Sequence, residues 1–128
     1  MVSGERGTVS GKPHERLEAW RCAMELVEVI YRMTATFPTQ EQFGLISQMR
    51  RAAVSVPSNL AEGAARDGNR EFARFLSIAR GSLSELDTQY QIAIRLGYTQ
   101  ADPVQVEPLL ERTSKLIAGL HRKMKETE

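Results

Sequence analysis

Apolar residues recur at helical spacing along almost the whole chain, and no segment alternates with period two. Leu17, Trp20, Met24, Val27, Tyr31 and Thr34 step by three and four, with Ile30 widening the stripe, and predict a first helix over residues 16–36. Phe37-Pro38 ends it, because the residue before a proline is pushed out of the helical region. Leu45, Met49, Ala52 or Ala53, Val56 and Leu60 predict a second helix over residues 40–65. Thr39 and Gln42 have the spacing of a capping box at its start. Pro57 falls inside the pattern and removes one backbone bond, to the Ala53 carbonyl, so a single kinked helix is expected. Arg66-Asp67-Gly68-Asn69 reads as a turn, with Asp67 or Asn69 capping the third helix and Glu71 complementing its positive end. Phe72, Phe75 and Leu76, Ala79, Leu83, Leu86, Tyr90 and Ala93 carry that helix over residues 69–96, and Gly97 is placed to close it. Asp102, Pro103 and Gln105 supply a cap, a first helical position and a capping-box partner. Val106, Leu109, Thr113, Leu116 and Leu120 then predict a fourth helix over residues 103–125, with Arg122, Lys123 and Lys125 in its last turns.

Four amphipathic helices joined by short turns predict an all-α, up-down-up-down antiparallel four-helix bundle over residues 15–126. Residues 1–14, with three glycines, two serines and one proline, read as a flexible arm. A chain of 128 residues fits one domain with a single core. Its 17 basic and 16 acidic residues nearly cancel, so a polyanion-binding role requires local clustering or oligomerisation. Cys22 is the only cysteine, which excludes an intrachain disulfide and a multi-cysteine metal site and suggests a half-buried thiol on a helix. No apolar run approaches the roughly 20 residues of a membrane span, and the N-terminal stretch lacks the apolar core of a secretory signal. A cytoplasmic protein with no membrane partner is expected.

The second helix carries a further stripe, Gln48, Arg51, Ser55, Asn59, Glu62 and Arg66, on one face. Ala52, Ala53, Ser58, Ala61, Gly63, Ala64 and Ala65 beside it are small, as are Ser77, Ala79, Gly81, Ser82 and Ser84 of the third helix. Three readings stay open: close packing within the chain, a subunit interface, and a ligand or nucleic-acid surface. The interface reading uses Gln48, Arg51, Ser55, Asn59, Glu62, Gly81, Ser82 and Glu85. It expects Ser82→Leu to disrupt helix approach at about 1–3 kcal/mol. Arg50, Arg51, Arg66, Arg70, Arg74 and Arg80 stand against Glu62, Asp67 and Glu71 over residues 50–80. Arg50, Arg51, Arg66, Arg70 and Arg74 are the candidate nucleic-acid contacts, the last three near a helix N-terminus that favours anions. Pairing of Glu71 with Arg74 and of Glu62 with Arg70 is the competing expectation. Val29, Met33 and Ile94 lie off the main seams and are candidates for an exposed apolar patch.

Catalytic chemistry finds little footing. The carboxylate di-metal sites of helical bundles need Glu-x-x-His on two helices. Here only His14 and His121 occur and that motif is absent, so no metal is expected. No serine or cysteine nucleophile has a histidine in a matching seam, and neither GxxxxGK[ST] nor GxGxxG is present. Glu62 and Glu85 lie among small residues, so partial burial and a raised pKa would make either an acid–base candidate; structural carboxylates paired to arginine are the cheaper account. Trp20, Tyr31, Phe72 and Phe75 read as core rather than a base-stacking platform. A non-enzyme without cofactors is expected.

Leu17-x-x-Trp20 opens the first helix, followed by Phe37-Pro38-x-x-Glu41-x-x-Gly44-Leu45. Then come Gln48-x-Arg50-Arg51-Ala52-Ala53-x-Ser55 and Asn59-Leu60-Ala61-Glu62-Gly63. The third helix adds Glu71-Phe72-x-x-Phe75-Leu76-x-x-Ala79-x-Gly81-Ser82-x-x-Glu85. With these motifs the chain resembles the 23S rRNA-intervening sequence protein family from Leu17 to Lys123, with Leu60 where the family usually has Ile. The resemblance implies a four-helix bundle that assembles as a ring, a homopentamer. More distantly the chain is similar to the accessory protein of diversity-generating retroelements, a pentameric bundle that binds a reverse transcriptase and nucleic acid. The family name is a genomic address and not an activity, and no catalytic residue carries over. The motif falls on the polar, small-residue face, which favours the interface reading. The expected function is a non-enzymatic oligomeric bundle associating with structured RNA or an RNA–protein complex through arginines of the second and third helices. The alternative is a protein–protein scaffold without nucleic-acid binding. The expected partners are further copies of the chain, RNA or DNA, and another protein.

Overall fold

The computed structural model describes residues 12–100 and 106–127. It contains four α-helices: α1 (Glu18–Thr34), α2 (Leu45–Ala65), α3 (Asn69–Arg95) and α4 (Val106–Glu126). Among the described residues there is no strand. Each helix packs on two others, α1 on α2, α2 on α3, α3 on α4 and α4 back on α1. Pairs such as Thr34–Arg50, Ser55–Ser82, Asn69–Thr127 and Glu18–Arg112 make successive helices antiparallel. Short 3₁₀ turns precede α1 (Pro13–Arg16) and α2 (Thr39–Glu41). His14, expected in the arm, stacks edge-on against Trp20 with ring centroids 4.9 Å apart. The rest of that arm, and the Asp102, Pro103 and Gln105 start signal, lie outside the described residues.

The buried stripe of α1 is not the expected one. Ala19, Cys22, Ala23, Leu26, Val29, Ile30 and Thr34 face the core, while Met24 and Tyr31 remain 39% and 42% exposed. Both stripes have helical spacing. The one holding Ala19, Cys22 and Ala23 lets α1 come close, and the larger amphipathic rings of Trp20 and Tyr31 stay at the margin. Cys22 is therefore fully inside and accepts a hydrogen bond from the Thr113 hydroxyl at 3.1 Å. Val29 is buried, and Met33 and Ile94 pack on the core, so these three form no exposed patch. Among the described residues, the large apolar side chains left exposed outside α1 are Phe43, Val54, Ile78, Ile92 and Leu96.

The N-termini of α2 and α3 are closed by different residues than the sequence suggests. The Gln42 N–H goes to the Thr39 carbonyl inside the 3₁₀ turn, which leaves no capping box, and α2 starts after Gly44. Glu41 caps it instead, accepting the Leu45 N–H at 3.0 Å and the Tyr98 hydroxyl at 2.8 Å. The Leu45 N–H and then the Tyr98 O–H hold the Glu41 carboxyl below its ordinary pKa. The Tyr98 phenol is raised, first by that same bond. α2 runs through Pro57, which is buried, to Ala65.

Gly68, at φ 88°, caps α3 without a side-chain bond, and Asn69 is diverted to the Thr127 hydroxyl at 2.6 Å. At the far end Gly97 takes φ 78°, with its N–H on the Ile94 carbonyl and the Tyr98 N–H on the Ala93 carbonyl. That pair of bonds is a Schellman closure, which needs a residue at ease in the left-handed region.

Candidate functional site

α2 and α3 approach each other closely at Gly63. A Cβ placed on Gly63 would lie 2.7 Å from the Phe75 Cβ and 3.0 Å from a Phe72 ring carbon. Further along the seam the Ser55 and Ser82 hydroxyls meet at 2.8 Å, and the Asn59 amide donates to the Ser55 carbonyl and hydroxyl at 2.8 and 3.0 Å. Above this network lies a groove of about 260 Å³ lined by Gln48, Arg51, Ala52, Ser55, Ser82 and Glu85. Gln89 sits one turn from Glu85 and is only 4% exposed. Its amide N–H donates to the Glu85 carboxylate at 3.4 Å, while its Oε1 is buried with no hydrogen-bond partner. Such an orphan is uncommon, because an unpaired buried acceptor has lost its water without compensation.

Of the residues read as an interface, Gln48, Arg51, Ser55, Ser82 and Glu85 line the groove, and Asn59 supports it. Gly81 faces open space on the outer side of α3. Glu62 turns away to pair with Arg66 at 2.8 Å. Glu62 and Glu85 are both exposed, so neither is the half-buried acid expected from its small neighbours. Those neighbours draw the backbones together and leave the carboxylates on the rim.

The five candidate arginines do not share one surface. Arg50 reaches α1, donating to the Thr34 hydroxyl at 2.9 Å and the Tyr31 carbonyl at 3.2 Å, and lies over the Tyr31 ring. Arg51, one residue on and therefore about 100° around the helix, lines the α2–α3 groove. Arg66 and Arg74 both lie over the Phe75 ring, at 5.2 and 4.5 Å from its centroid. Their partners Glu62 and Glu71 are at the surface, where ion pairs are weakly held. Arg70 joins them, so Arg66, Arg70 and Arg74 gather around the α2–α3 turn.

The α3–α4 seam carries two wider clefts. One, of about 490 Å³, is lined by Asp87, Glu107 and Glu111 with Lys115 and neutral residues. The other, of about 550 Å³ beside the α3 N-terminus, is lined by Arg70, Glu71, Ala73, Arg74, Ser77, His121 and Lys125. Burial, and then the charges of Arg80 and Lys125, push the His121 imidazole below its ordinary pKa. The sequence singled out His121 only as a missing metal ligand. Its i, i+4 spacing to Lys125 was the available sign that the two share a face. Among the described residues no three His, Cys, Asp or Glu side chains converge as metal ligands. Nor is any described helix long and apolar enough to cross a membrane.

A family model described as 23S rRNA-intervening sequence protein matches residues 15–121, the whole bundle apart from the last turn of α4. The chain belongs to that family. A comparison with curated proteins gave no match. The matched span takes in both seams of α3, so the groove and the acidic cleft lie within the family region, and so does the basic cleft apart from Lys125.

Proposed function

We propose that this member of the family is a non-enzymatic protein that self-associates through the α2–α3 face and binds nucleic acid, as structured RNA or an RNA–protein complex, at its arginine-bearing end. The observation that carries the reading is the gathering of Arg66, Arg70 and Arg74 at the α2–α3 turn, beside Lys125 of α4. The partners of Arg66 and Arg74 are exposed carboxylates that a phosphate can displace. Self-association is supported by the groove that Gln48, Arg51, Ser55, Ser82 and Glu85 line and by exposed Ile78 and Ile92 on α3. A second copy on this face would cover the groove and both isoleucines, and a ring would repeat each basic end around its axis. Five copies is the ring order that the family resemblance implies.

The test is a titration of a labelled structured RNA across a salt series. A log–log slope of several negative units is expected, because each phosphate contact releases counterions. No binding at low salt would contradict the reading. A protein scaffold would then be favoured by Phe43, 90% exposed, at the same end of the bundle as Ile92 and Leu96. A soluble protein acting in the cytoplasm is part of the proposal.

A further inference from the structure

The cleft between α3 and α4 at the basic end has a composition that the arginine cluster alone does not explain. We infer that Arg70, Arg74, His121 and Lys125 form a seat for a backbone phosphate of the bound nucleic acid, and that protonation of His121 tightens it. This deepens the nucleic-acid reading and rests on it.

Three permanent cations and one imidazole line the cleft, against a single carboxylate, Glu71. Glu71 is held by Arg74 at 3.4 Å, a loose contact that leaves both groups at the surface. Ser77 adds a neutral hydroxyl donor. The cleft, at about 550 Å³, has room for a phosphodiester and its flanking sugars. Its two walls are fixed to each other, because the Asn69 amide at the start of α3 donates to Thr127 at the end of α4.

The groups facing His121 can be named on every side. α3 presents Arg70, Glu71 and Arg74 across the cleft, with Arg80 close enough to act on the imidazole, and α4 itself presents Lys125. Ahead of and at the start of α1, Arg16 and Glu18 lie with Lys115 and Lys123 in a different depression on α4. Burial, and then the positive charge around it, favour the neutral form of the imidazole. An anion seated among the same cations reverses that balance, so anion binding and proton uptake support each other. The same wall then offers one more charge and one more donor to the phosphate when the solution is mildly acidic.

The experiment is fluorescence anisotropy of a labelled structured RNA with the full chain at about pH 7.5 and pH 5.5, on either side of the ordinary histidine range. Four proteins are compared: wild type, Arg70→Gln/Lys125→Gln, His121→Gln, and Arg95→Gln at the opposite end of α3 as a charge control. Wild type is expected to tighten several-fold at the lower pH. The double variant is expected to lose about tenfold and to flatten the salt slope by about two, whereas Arg95→Gln stays near wild type. His121→Gln is expected to lack the gain at the lower pH, its affinity changing little between the two. In the wild type, the His121 imidazole pKa followed by NMR is expected to rise when RNA is added, a change that a merely structural histidine would not show. A double variant indistinguishable from Arg95→Gln, or an acid gain that persists in His121→Gln, overturns the inference and leaves RNA binding itself standing. No binding by wild type at low salt overturns the nucleic-acid reading and this seat together.

Discussion

Helix α3 meets two neighbours in opposite ways. Toward α2 it presents Phe75, Ser82 and Glu85 to a partner of small side chains, and a glycine Cβ has no room. Toward α4 it presents Arg70, Arg74, Ser84 and Asp87 to a partner that is also charged. Small uncharged side chains let backbones approach, so the first seam retains a groove of only about 260 Å³. Long charged side chains keep the surfaces apart, and the second seam holds clefts of about 490 and 550 Å³. Close packing is concentrated in one flank of α3 and capacity for a charged ligand in the other.

The comparison breaks most readily at Gly63. Gly63→Leu is expected to destabilise the subunit by about 3 kcal/mol, the upper range of overpacking, in urea unfolding. A change of under about 0.5 kcal/mol would mean that α2 and α3 are not held at that distance. Ser82→Leu comes next, at about 1–3 kcal/mol, with loss of the Ser55 hydroxyl bond. It fills the groove, so the mass by light scattering should fall to that of one subunit. Unchanged melting with unchanged mass would place Ser82 in free solvent.

Adjacent arginines sharpen the point. Arg50→Ala removes the bond to Thr34 and should cost about 1 kcal/mol, whereas Arg51→Ala should stay within about 0.5 kcal/mol in the same unfolding assay. Equal losses would show that both arginines serve the same seam.

The smallest expected effect is on the dependence of melting on pH. The folded pKa of His121 is depressed, so the unfolded chain binds the proton more readily. Its contribution is full above the ordinary histidine value and fades as pH falls through the depressed one. Glu41, also depressed, contributes above the ordinary carboxylate value and fades in the same direction at lower pH. Melting should therefore decline in two steps on acidification, and His121→Gln should remove the upper one. A higher melting temperature at mildly acid pH would contradict the His121 environment.

Local chemistry explains what was legible in the sequence. Pro38 follows the end of α1, Gly97 closes α3, and the apolar stripes of α2 and α3 are close to those buried, whereas in α4 Leu110 and Ile117 are buried with Val106 and Thr113 and the expected Leu109, Leu116 and Leu120 are only partly so. α1 was harder because two overlapping stripes both have helical spacing, and the choice depends on side-chain size against α2 and α4. The α2 cap was hidden because Glu41 acts with Tyr98, 57 residues away. The polar α2 stripe is visible as a face, and three of its residues, Gln48, Arg51 and Ser55, line one groove with Ser82 and Glu85 of α3. The arginines were read as one cluster from closeness in sequence, but Arg50 and Arg51 diverge by the helical turn. The basic cleft has no local sequence signature, because His121 and Lys125 come from a helix about fifty residues further along than Arg70 and Arg74.

Sedimentation velocity with a labelled structured RNA tests the division of labour between the two flanks of α3 most directly. Wild type is expected to sediment as an oligomer and carry the RNA with it. Ser82→Leu should reduce the protein to one subunit, while Arg70→Gln/Lys125→Gln should keep the oligomer and leave the RNA behind. Wild-type protein sedimenting as a single subunit, or both variants losing assembly and RNA together, would contradict the account.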